Sequence, residues 1–404
     1  MTMDVNECQG GVTAPMGFQA SGMYCGIRKV KKDIAMIKSD VPATAAGVFT
    51  LNKTQAAPVL VDKLQLKNSP VCSAIIVNSG NANACTGERG MNDAWEMVKA
   101  TAKALNIPEG EVLVSSTGVI GQYMPMEKVV PAISELADKL SKSGNGDAAE
   151  AIMTTDTFSK EAAVKFTLGK SVVTVGGVAK GSGMIAPNMA TMLAFVTTDV
   201  ALSPKLLSKA LRLANNRSFN RISVDGDMST NDMVLVMANG LAKNTKIADN
   251  SEEFQLFVAA LEYVLIKLAK MIAKDGEGAT KLIEIQVKGA RSEEEAAQAA
   301  RAVANSNLVK TAIHGADANW GRILAAVGYS GIEFNPDIVE ISFGELPILK
   351  KNYEIVLDEE KAREILLKDN IVIVIDLNQG NQFARFWTCD LTKEYVHINA
   401  SYRS

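Results

Sequence analysis

Histidine is nearly absent from this chain. Its 404 residues hold two, His314 and His397. A Ser-His-Asp or Cys-His enzyme needs an imidazole beside its nucleophile, and a histidine-rich metal site needs several. Both classes therefore have little material to work with. If the chain moves an acyl group, its base is something else; an N-terminal amine, with an ordinary pKa of about 8, is largely deprotonated close to neutrality and can serve. Cysteine is also scarce. Cys8, Cys25, Cys72, Cys85 and Cys389 are odd in number and scattered, with no Cys-x-x-Cys pair, which argues against a disulfide framework or a structural zinc site. Charge of one sign is not in excess: the net charge is -3, so no nucleic-acid or membrane-surface partner is expected. No run of about 18 uninterrupted apolar residues occurs, and the first residues lack the charged-then-apolar pattern of a signal peptide. The expectation is a cytoplasmic protein without metal or cofactor.

What is present suits a large folded core. Hydrophobic residues make up 47% and charged residues 22%. The first 85 residues read as strands and turns, including the apolar run Val71 to Val77. Amphipathic helices are predicted over Asn92 to Leu105, Met126 to Ser141, from Ser203-Pro204 onward, and over Ser251 to Lys274. Ala163 to Leu168 and Val172 to Val175 alternate around Gly169-Lys170 and predict a β-hairpin. Ser292-Glu293-Glu294-Glu295 is a capping box. Ile371 to Leu377 and Gln382 to Thr388 are predicted to pair as a hairpin, and Tyr395 to Asn399 to be a last strand. No repeat or linker is evident, so one core is expected to be shared by both halves.

Several polar stretches allow two readings each. Thr117-Gly118 ends the buried strand Val112 to Val114. It is either plain turn chemistry or a pair of donors aimed at a reacting carbonyl oxygen. Thr154-Thr155-Asp156-Thr157 lines a pocket or caps an element. Glu277, between two glycines just past a helix end, is a solvated carboxylate or a substrate contact. The loop from Ser223 to Asp232 mimics the start of a calcium loop. Thr230 stands where that loop needs glycine and Val236 where it needs glutamate, which rules the reading out.

The most suggestive stretch runs from Gly176 to Asp199. It is punctuated by glycines up to Gly183 and then turns apolar, with Thr191 at the changeover. Thr191 either begins a buried strand or attacks the carbonyl of Ala190, shifting that peptide to an ester that water then hydrolyses. The small residues Gly181, Gly183, Ala186 and Ala190 would let the backbone adopt the angles this needs. Freed in that way, Thr191 would carry its own amine as base and would need no histidine.

Gly176-Gly-Val-Ala-Lys-Gly-Ser-Gly-Met-Ile-Ala-Pro-Asn-Met-Ala-Thr-Met-Leu resembles the processing and active-site segment of the ornithine acetyltransferase family. Asn78-Ser-Gly-Asn-Ala-Asn-Ala-Cys, Ser116-Thr-Gly-Val-Ile-Gly, Met153-Thr-Thr-Asp-Thr, Ser223-Val-Asp-Gly-Asp, Gly276-Glu-Gly-Ala-Thr-Lys and Gly315-Ala-Asp-Ala-Asn-Trp-Gly-Arg look like its other motifs, in its order. The resemblance implies an α/β fold, an α-β-β-α sandwich similar to that of the N-terminal-nucleophile enzymes. It implies self-cleavage between Ala190 and Thr191 into chains 1–190 and 191–404, assembled as two of each. By the same resemblance Thr191 takes acetyl from N-acetyl-ornithine and passes it to glutamate, in arginine biosynthesis. Thr117 and Gly118 match the oxyanion hole. Thr154, Lys180, Thr191, Glu277, Asn399 and Ser404 match substrate contacts, Ser404 keeping the hydroxyl of a commonly terminal threonine. Lys180 is assigned to the α-carboxylate, and Glu277 to the ornithine ammonium or to proton transfer. Acetyl-CoA is a second donor in some members of that family. The alternatives are a self-processed amidase or aminopeptidase that sends the acyl group to water, and a non-enzymatic amino-acid-binding protein.

Overall fold

A computed structural model of the chain describes residues 6–186 and 192–401. The first unit contains, in order, β1 (Asn6–Glu7), β2 (Phe18–Met23), β3 (Ile34–Phe49), α1 (Ala57–Asn68), β4 (Val71–Asn81), α2 (Gly87–Leu105), β5 (Val112–Val119), α3 (Met126–Asp138), α4 (Asn145–Ala151), β6 (Lys160–Leu168), β7 (Ser171–Lys180), β8 (Leu193–Thr198), α5 (Pro204–Asn216), β9 (Met233–Ala238) and α6 (Glu252–Lys274). Its strands form one folded-over sheet in the order β1-β6-β7-β8-β9-β3-β4-β5, with β2 on β3. The fold-over is made by β3. Its first half pairs with β2 and β4, its second half with β9, and the register with β4 breaks between Lys38 and Ala43.

Period-2 alternation then builds four layers. Ala35, Ile37, Ile75 and Leu113 turn inward and meet Val178, Phe195 and Leu235 from the opposite face. Their neighbours Ile34, Met36, Ile76 and Val114 turn outward onto the apolar faces of α2 and α3. On the other side, Ala194, Val196, Val234 and Val236 pack under α5 and α6. The result is the expected α-β-β-α sandwich, and strands from both sides of residues 187–191 share its sheet. The predicted hairpin is β6 and β7, paired from Lys160 opposite Ala179 to Leu168 opposite Ser171. Helix α5 starts as expected, with Ser203 accepting the Leu206 N–H and proline in the first turn.

A second unit has its own sheet and its own apolar core. It comprises β10 (Leu282–Ala290), α7 (Glu293–Ala304), α8 (Asn307–His314), α9 (Trp320–Gly328), β11 (Glu340–Phe343), β12 (Leu346–Lys350), β13 (Glu354–Ile355), α10 (Glu359–Leu366), β14 (Asn370–Asp376), β15 (Gln382–Cys389) and α11 (Lys393–Ser401). Glu284 of β10 joins it to the sandwich, accepting from Lys270 of α6 at 2.9 Å and from the Trp387 indole at 2.8 Å.

Three expectations are corrected. Strands β14 and β15 do not pair with each other; β10 lies between them, parallel to β14 and antiparallel to β15. Alternation shows that a segment is a strand but not which strand is its partner. The glycines carry the crossing. A Cβ at Gly289 would stand 2.3 Å from an Asp376 oxygen, and one at Gly380 would stand 2.1 Å from the Ala290 carbonyl oxygen. Next, Tyr395 to Asn399 belongs to helix α11, not to a strand. Its Tyr-Val-His-Ile composition favours a strand, yet the segment buries no face in either sheet. Thr392 starts the helix instead, accepting the Glu394 N–H at 3.1 Å and giving its hydroxyl to the Gly278 carbonyl at 2.7 Å. Finally, the first 85 residues also contain α1, which covers β5.

Helix α1 carries a buried acid. Asp62 accepts the Val114 N–H at 2.8 Å, while its second oxygen has no partner among the described residues. Burial pushes this carboxyl well above the usual carboxylate range. A raised folded-state value means that stability is greatest in acid and declines as pH rises past about 4, where the unfolded chain ionises freely. Asp62→Asn is therefore expected to melt above the native protein at about pH 8, with the difference shrinking toward about pH 4. Thermal unfolding at several pH values checks this, and a difference independent of pH would contradict it.

Candidate active site

The ends of β4, β5 and β7 meet at one cleft. Strands β4 and β5 run parallel, placing Gly80 beside Gly118. Gly118 has φ +132°, and a Cβ there would stand 2.3 Å from the Gly80 carbonyl carbon, so only glycine fits. Thr117 is thereby held at the strand end. Lys180, the last residue of β7, donates to its hydroxyl oxygen at 3.3 Å. An ammonium is donor-only, so the Thr117 oxygen accepts and its own hydrogen is left to point elsewhere.

Thr154 is set by two partners. Arg28 donates to the carbonyls of Met153 at 2.7 Å and Thr154 at 3.1 Å, and the Thr154 N–H goes to Asp156 at 2.9 Å. Asp156 also accepts the Gly181 N–H at 2.7 Å, so one carboxylate fixes both Thr154 and the turn after Lys180. Lys160 lies between Asp156, at 2.7 Å, and Asp275, at 2.5 Å. The side chains of Lys160 and Asp156 are wholly buried. Burial would raise the Asp156 carboxyl, but Lys180, Lys160 and the Gly181 N–H outweigh it and hold the pKa down to about 2. Lys180 is itself buried, and burial lowers its pKa, opposed by the charges of Asp156, Asp232 and Glu277.

From Asp275 the order passes to Glu277. Ser182 gives its hydroxyl to the Asp275 carbonyl at 2.7 Å, and the Glu277 N–H goes to the Ser182 carbonyl at 2.9 Å. Asn399 of α11 donates to a Glu277 carboxylate oxygen at 2.8 Å. A Cβ at Gly183 would stand 2.4 Å from that carboxylate, so the glycine makes its place.

Thr117, Gly118, Thr154, Lys180, Glu277 and Asn399 thus line a single cleft, partly open to solvent. Ser229, Thr230 and Asn231 form another part of its wall. Asn231 ties the strand ends together, donating to the carbonyls of Ala82 at 2.6 Å and Ser116 at 2.8 Å. Neither histidine lines the cleft; His314 sits elsewhere, 2.9 Å from Asp390. Among the described residues, no cluster of three or more His, Cys, Asp or Glu is placed to hold a metal ion. A cation and a carboxylate in one small cleft suit a zwitterionic amino acid, and the strand-end donors suit a developing oxyanion.

Ala190, Thr191 and Ser404 lie outside the described residues. The chain enters the 187–191 segment from the cleft-lining Gly183 and Met184 and leaves it at Met192, whose N–H goes to Asp232 at 3.0 Å. Sequence reasoning missed Lys160, Asp275, Arg28, Asn231 and Asp232. Lys160 did leave a signal: it shares the buried parity of Ala162, Val164, Phe166 and Leu168 on β6, where a solvent-facing lysine does not belong.

A profile of the ArgJ family matches residues 19–404. The arginine biosynthesis bifunctional protein ArgJ of Caldanaerobacter subterraneus subsp. tengcongensis is 53% identical over 399 residues, covering 98% of this chain and 99% of that protein. The protein of the same name from Bacillus subtilis is 50% identical over 395 residues, covering 98% and 97%. A crystal structure of the arginine biosynthesis bifunctional protein argJ from Bacillus halodurans is 48% identical, with a TM-score of 0.50, covering 52% of this chain and 98% of that one.

The Lys160 triad makes a prediction independent of function. Lys160→Met leaves Asp156 and Asp275 facing each other, and breaking such a buried pair costs about 3–5 kcal/mol. Thermal or denaturant unfolding measures the loss, and Asp275→Asn added to Lys160→Met is expected to recover part of it. Because the Asp156 value is depressed, its contribution is present above about pH 4 and lost as pH falls through about 2. A Lys160→Met protein as stable as the native one would contradict the anchoring role.

Proposed function

Since the chain belongs to the ArgJ family, we propose that it is an acyltransferase of arginine biosynthesis that carries acetyl from N2-acetyl-L-ornithine to L-glutamate on Thr191. On this reading the precursor cuts itself between Ala190 and Thr191, and Thr191 acts as nucleophile with its own α-amine as base. The observation that carries the reading is convergence. Six positions spread from residue 117 to residue 399 line one cleft, and the chain leads from that cleft straight into residues 187–191.

The chemistry follows from the donors. The Thr191 oxygen attacks the acetyl carbonyl carbon as the amine takes the hydroxyl proton. The carbonyl oxygen becomes an oxyanion, met by the Gly118 N–H and by the Thr117 hydroxyl hydrogen that Lys180 leaves free. The C–N bond breaks, the amine returns the proton to the departing nitrogen, and ornithine leaves. The amino group of glutamate then attacks the acetyl ester, restoring the threonine hydroxyl. Lys180 pairs with the substrate α-carboxylate. Glu277, steadied by Asn399, takes the ornithine side-chain ammonium. Thr154 and Ser404 complete the substrate contacts. The relatives are called bifunctional; for this chain acetyl-CoA is the second donor we propose. Assembly as two copies of each chain in the cytoplasm belongs to the same proposal. Among the described residues, no helix is long and apolar enough to cross a membrane.

Purified protein is expected to run as two fragments, the second beginning Thr-Met-Leu-Ala-Phe by N-terminal sequencing. A single 43.1 kDa species after long incubation would contradict self-cleavage. Thr191→Ala should stay uncut and lose acetyl transfer by at least roughly 1,000-fold. The assay pairs glutamate with N-acetyl-ornithine and, separately, with acetyl-CoA. Acetyl release to water without glutamate dependence would favour the amidase reading instead.

A further inference from the structure

The connection from β2 to β3, residues 24–33, is a firmly built loop that carries charge it does not neutralise. Buried Asp33 closes it, accepting the N–H groups of Cys25 at 2.6 Å, Gly26 at 3.1 Å and Arg28 at 2.8 Å. Gly26 turns at φ +94°, and its carbonyl accepts from Lys128 of α3 at 3.0 Å. Lys32 pairs with Asp147 at 2.6 Å and with Glu150 at 2.7 Å. The other cations have no such partner. Arg28 gives its guanidinium to the carbonyls of Met153 and Thr154, which are neutral. Lys29 and Lys31 are exposed, and among the described residues neither is paired with a carboxylate. Val30, between them, is 87% exposed.

This loop borders the cleft. Arg28 holds the carbonyl of Thr154, which lines the cleft. A Cβ at Gly80 would stand 2.6 Å from Arg28 Cγ and 3.1 Å from Ile27 Cγ2, so the loop lies directly on the strand end beside Gly118. Lys29 follows Arg28, and Lys31 is within about 10 Å of chain from it. A ligand that suits this edge keeps phosphate outside the cleft and sends a flexible arm inside. N-acetyl-ornithine has no such part, whereas acetyl-CoA has its phosphates and adenine at one end and its thioester at the other. We propose that Lys29 and Lys31 hold the phosphates of acetyl-CoA, with Val30 against the adenine, while the pantetheine arm crosses Arg28 and Gly80 to bring the thioester carbonyl to Gly118. This rests on the reading of acetyl-CoA as the second donor.

The loop binds and takes no part in bond making, so one cleft serves both donors and only one donor needs the loop. Lysine suits the task as a mobile point charge that can follow a phosphate on a flexible ligand. The acids around the loop do not cancel it: Asp147 and Glu150 are both taken by Lys32, and Asp33 faces inward to three backbone N–H groups. Val30 fits the same ligand, because an apolar side chain held in water between two lysines offers an adenine face a dry contact. Exposed charges are screened over about 8 Å at physiological ionic strength, so binding through Lys29 and Lys31 weakens with added salt.

The test compares the native full-length protein with one carrying both Lys29→Ala and Lys31→Ala, which should melt alike because both side chains are exposed. Initial rates are measured with glutamate and either acetyl-CoA or N-acetyl-ornithine, and binding of free CoA is measured by calorimetry. In the variant, KM for acetyl-CoA is expected to rise at least about tenfold and CoA binding to weaken to match, while kcat and the KM for N-acetyl-ornithine stay within about twofold. S-acetyl-pantetheine, which has the arm without the adenine and its phosphates, should serve both proteins equally. Lys29→Arg with Lys31→Arg should keep most of the native affinity for acetyl-CoA. An unchanged KM for acetyl-CoA in the alanine variant overturns the proposal, as does an equal rise for both donors. A native protein that uses N-acetyl-ornithine but neither uses acetyl-CoA nor binds CoA overturns this proposal and the second-donor reading together. CoA binding that the variant loses, without any transfer from acetyl-CoA by the native protein, overturns that reading alone and supports the loop as the phosphate site.

Discussion

One ammonium group, Lys160 Nζ, lies between two carboxylates out of reach of water, and the walls of the cleft are attached to it from both sides. Asp156 continues from it to the Thr154 and Gly181 backbones. Asp275 continues from it to Thr157 and, through its own carbonyl, to Ser182. The placement of Lys180 and Glu277, one charge of each sign, depends on this junction. Buried ion pairs add little net stability against an apolar alternative, because desolvation cancels much of the attraction. What this one provides is position: removing Lys160 would leave two buried carboxylates facing each other.

Two features of the cleft make sense only together. Lysine 180 is surrounded by acids at Asp156, Asp232 and Glu277, yet burial still lowers its pKa. It binds the Thr117 oxygen as a donor and leaves that hydroxyl free to donate in turn. A group that would bind a substrate carboxylate thereby also orients a group that would bind an oxyanion. The loop from Ser223 to Asp232 completes the arrangement from the opposite wall. Its resemblance to a calcium loop is superficial; its acids hold backbone N–H groups on either side of residues 187–191 instead of an ion.

Much of this was legible in the sequence, for physical reasons that differ from element to element. The β6–β7 hairpin showed because its two-residue connection and its alternation specify each other. The α5 and α7 starts showed because a cap is a local event, and Ser292 does accept the Glu295 N–H at 3.1 Å. Strand partnership did not show, since β10 enters between β14 and β15 from nearly a hundred residues earlier in the chain. Helix α11 was hidden because its shape answers to Gly278 and Glu277, not to its own composition. The cleft residues were found through motif order across the whole chain. The groups that hold them were not, because Lys160, Asp275 and Asp232 act through contacts that join distant segments.

The central claim is that acetyl passes through Thr191. The most direct measurement is the mass of the chain beginning at Thr191 after mixing with N-acetyl-ornithine in the absence of glutamate. The account predicts one added acetyl group, located by fragmentation on the first residue of that chain and discharged when glutamate is supplied. An unmodified chain under conditions of active transfer, or an acetyl group carried on a different residue, would contradict it.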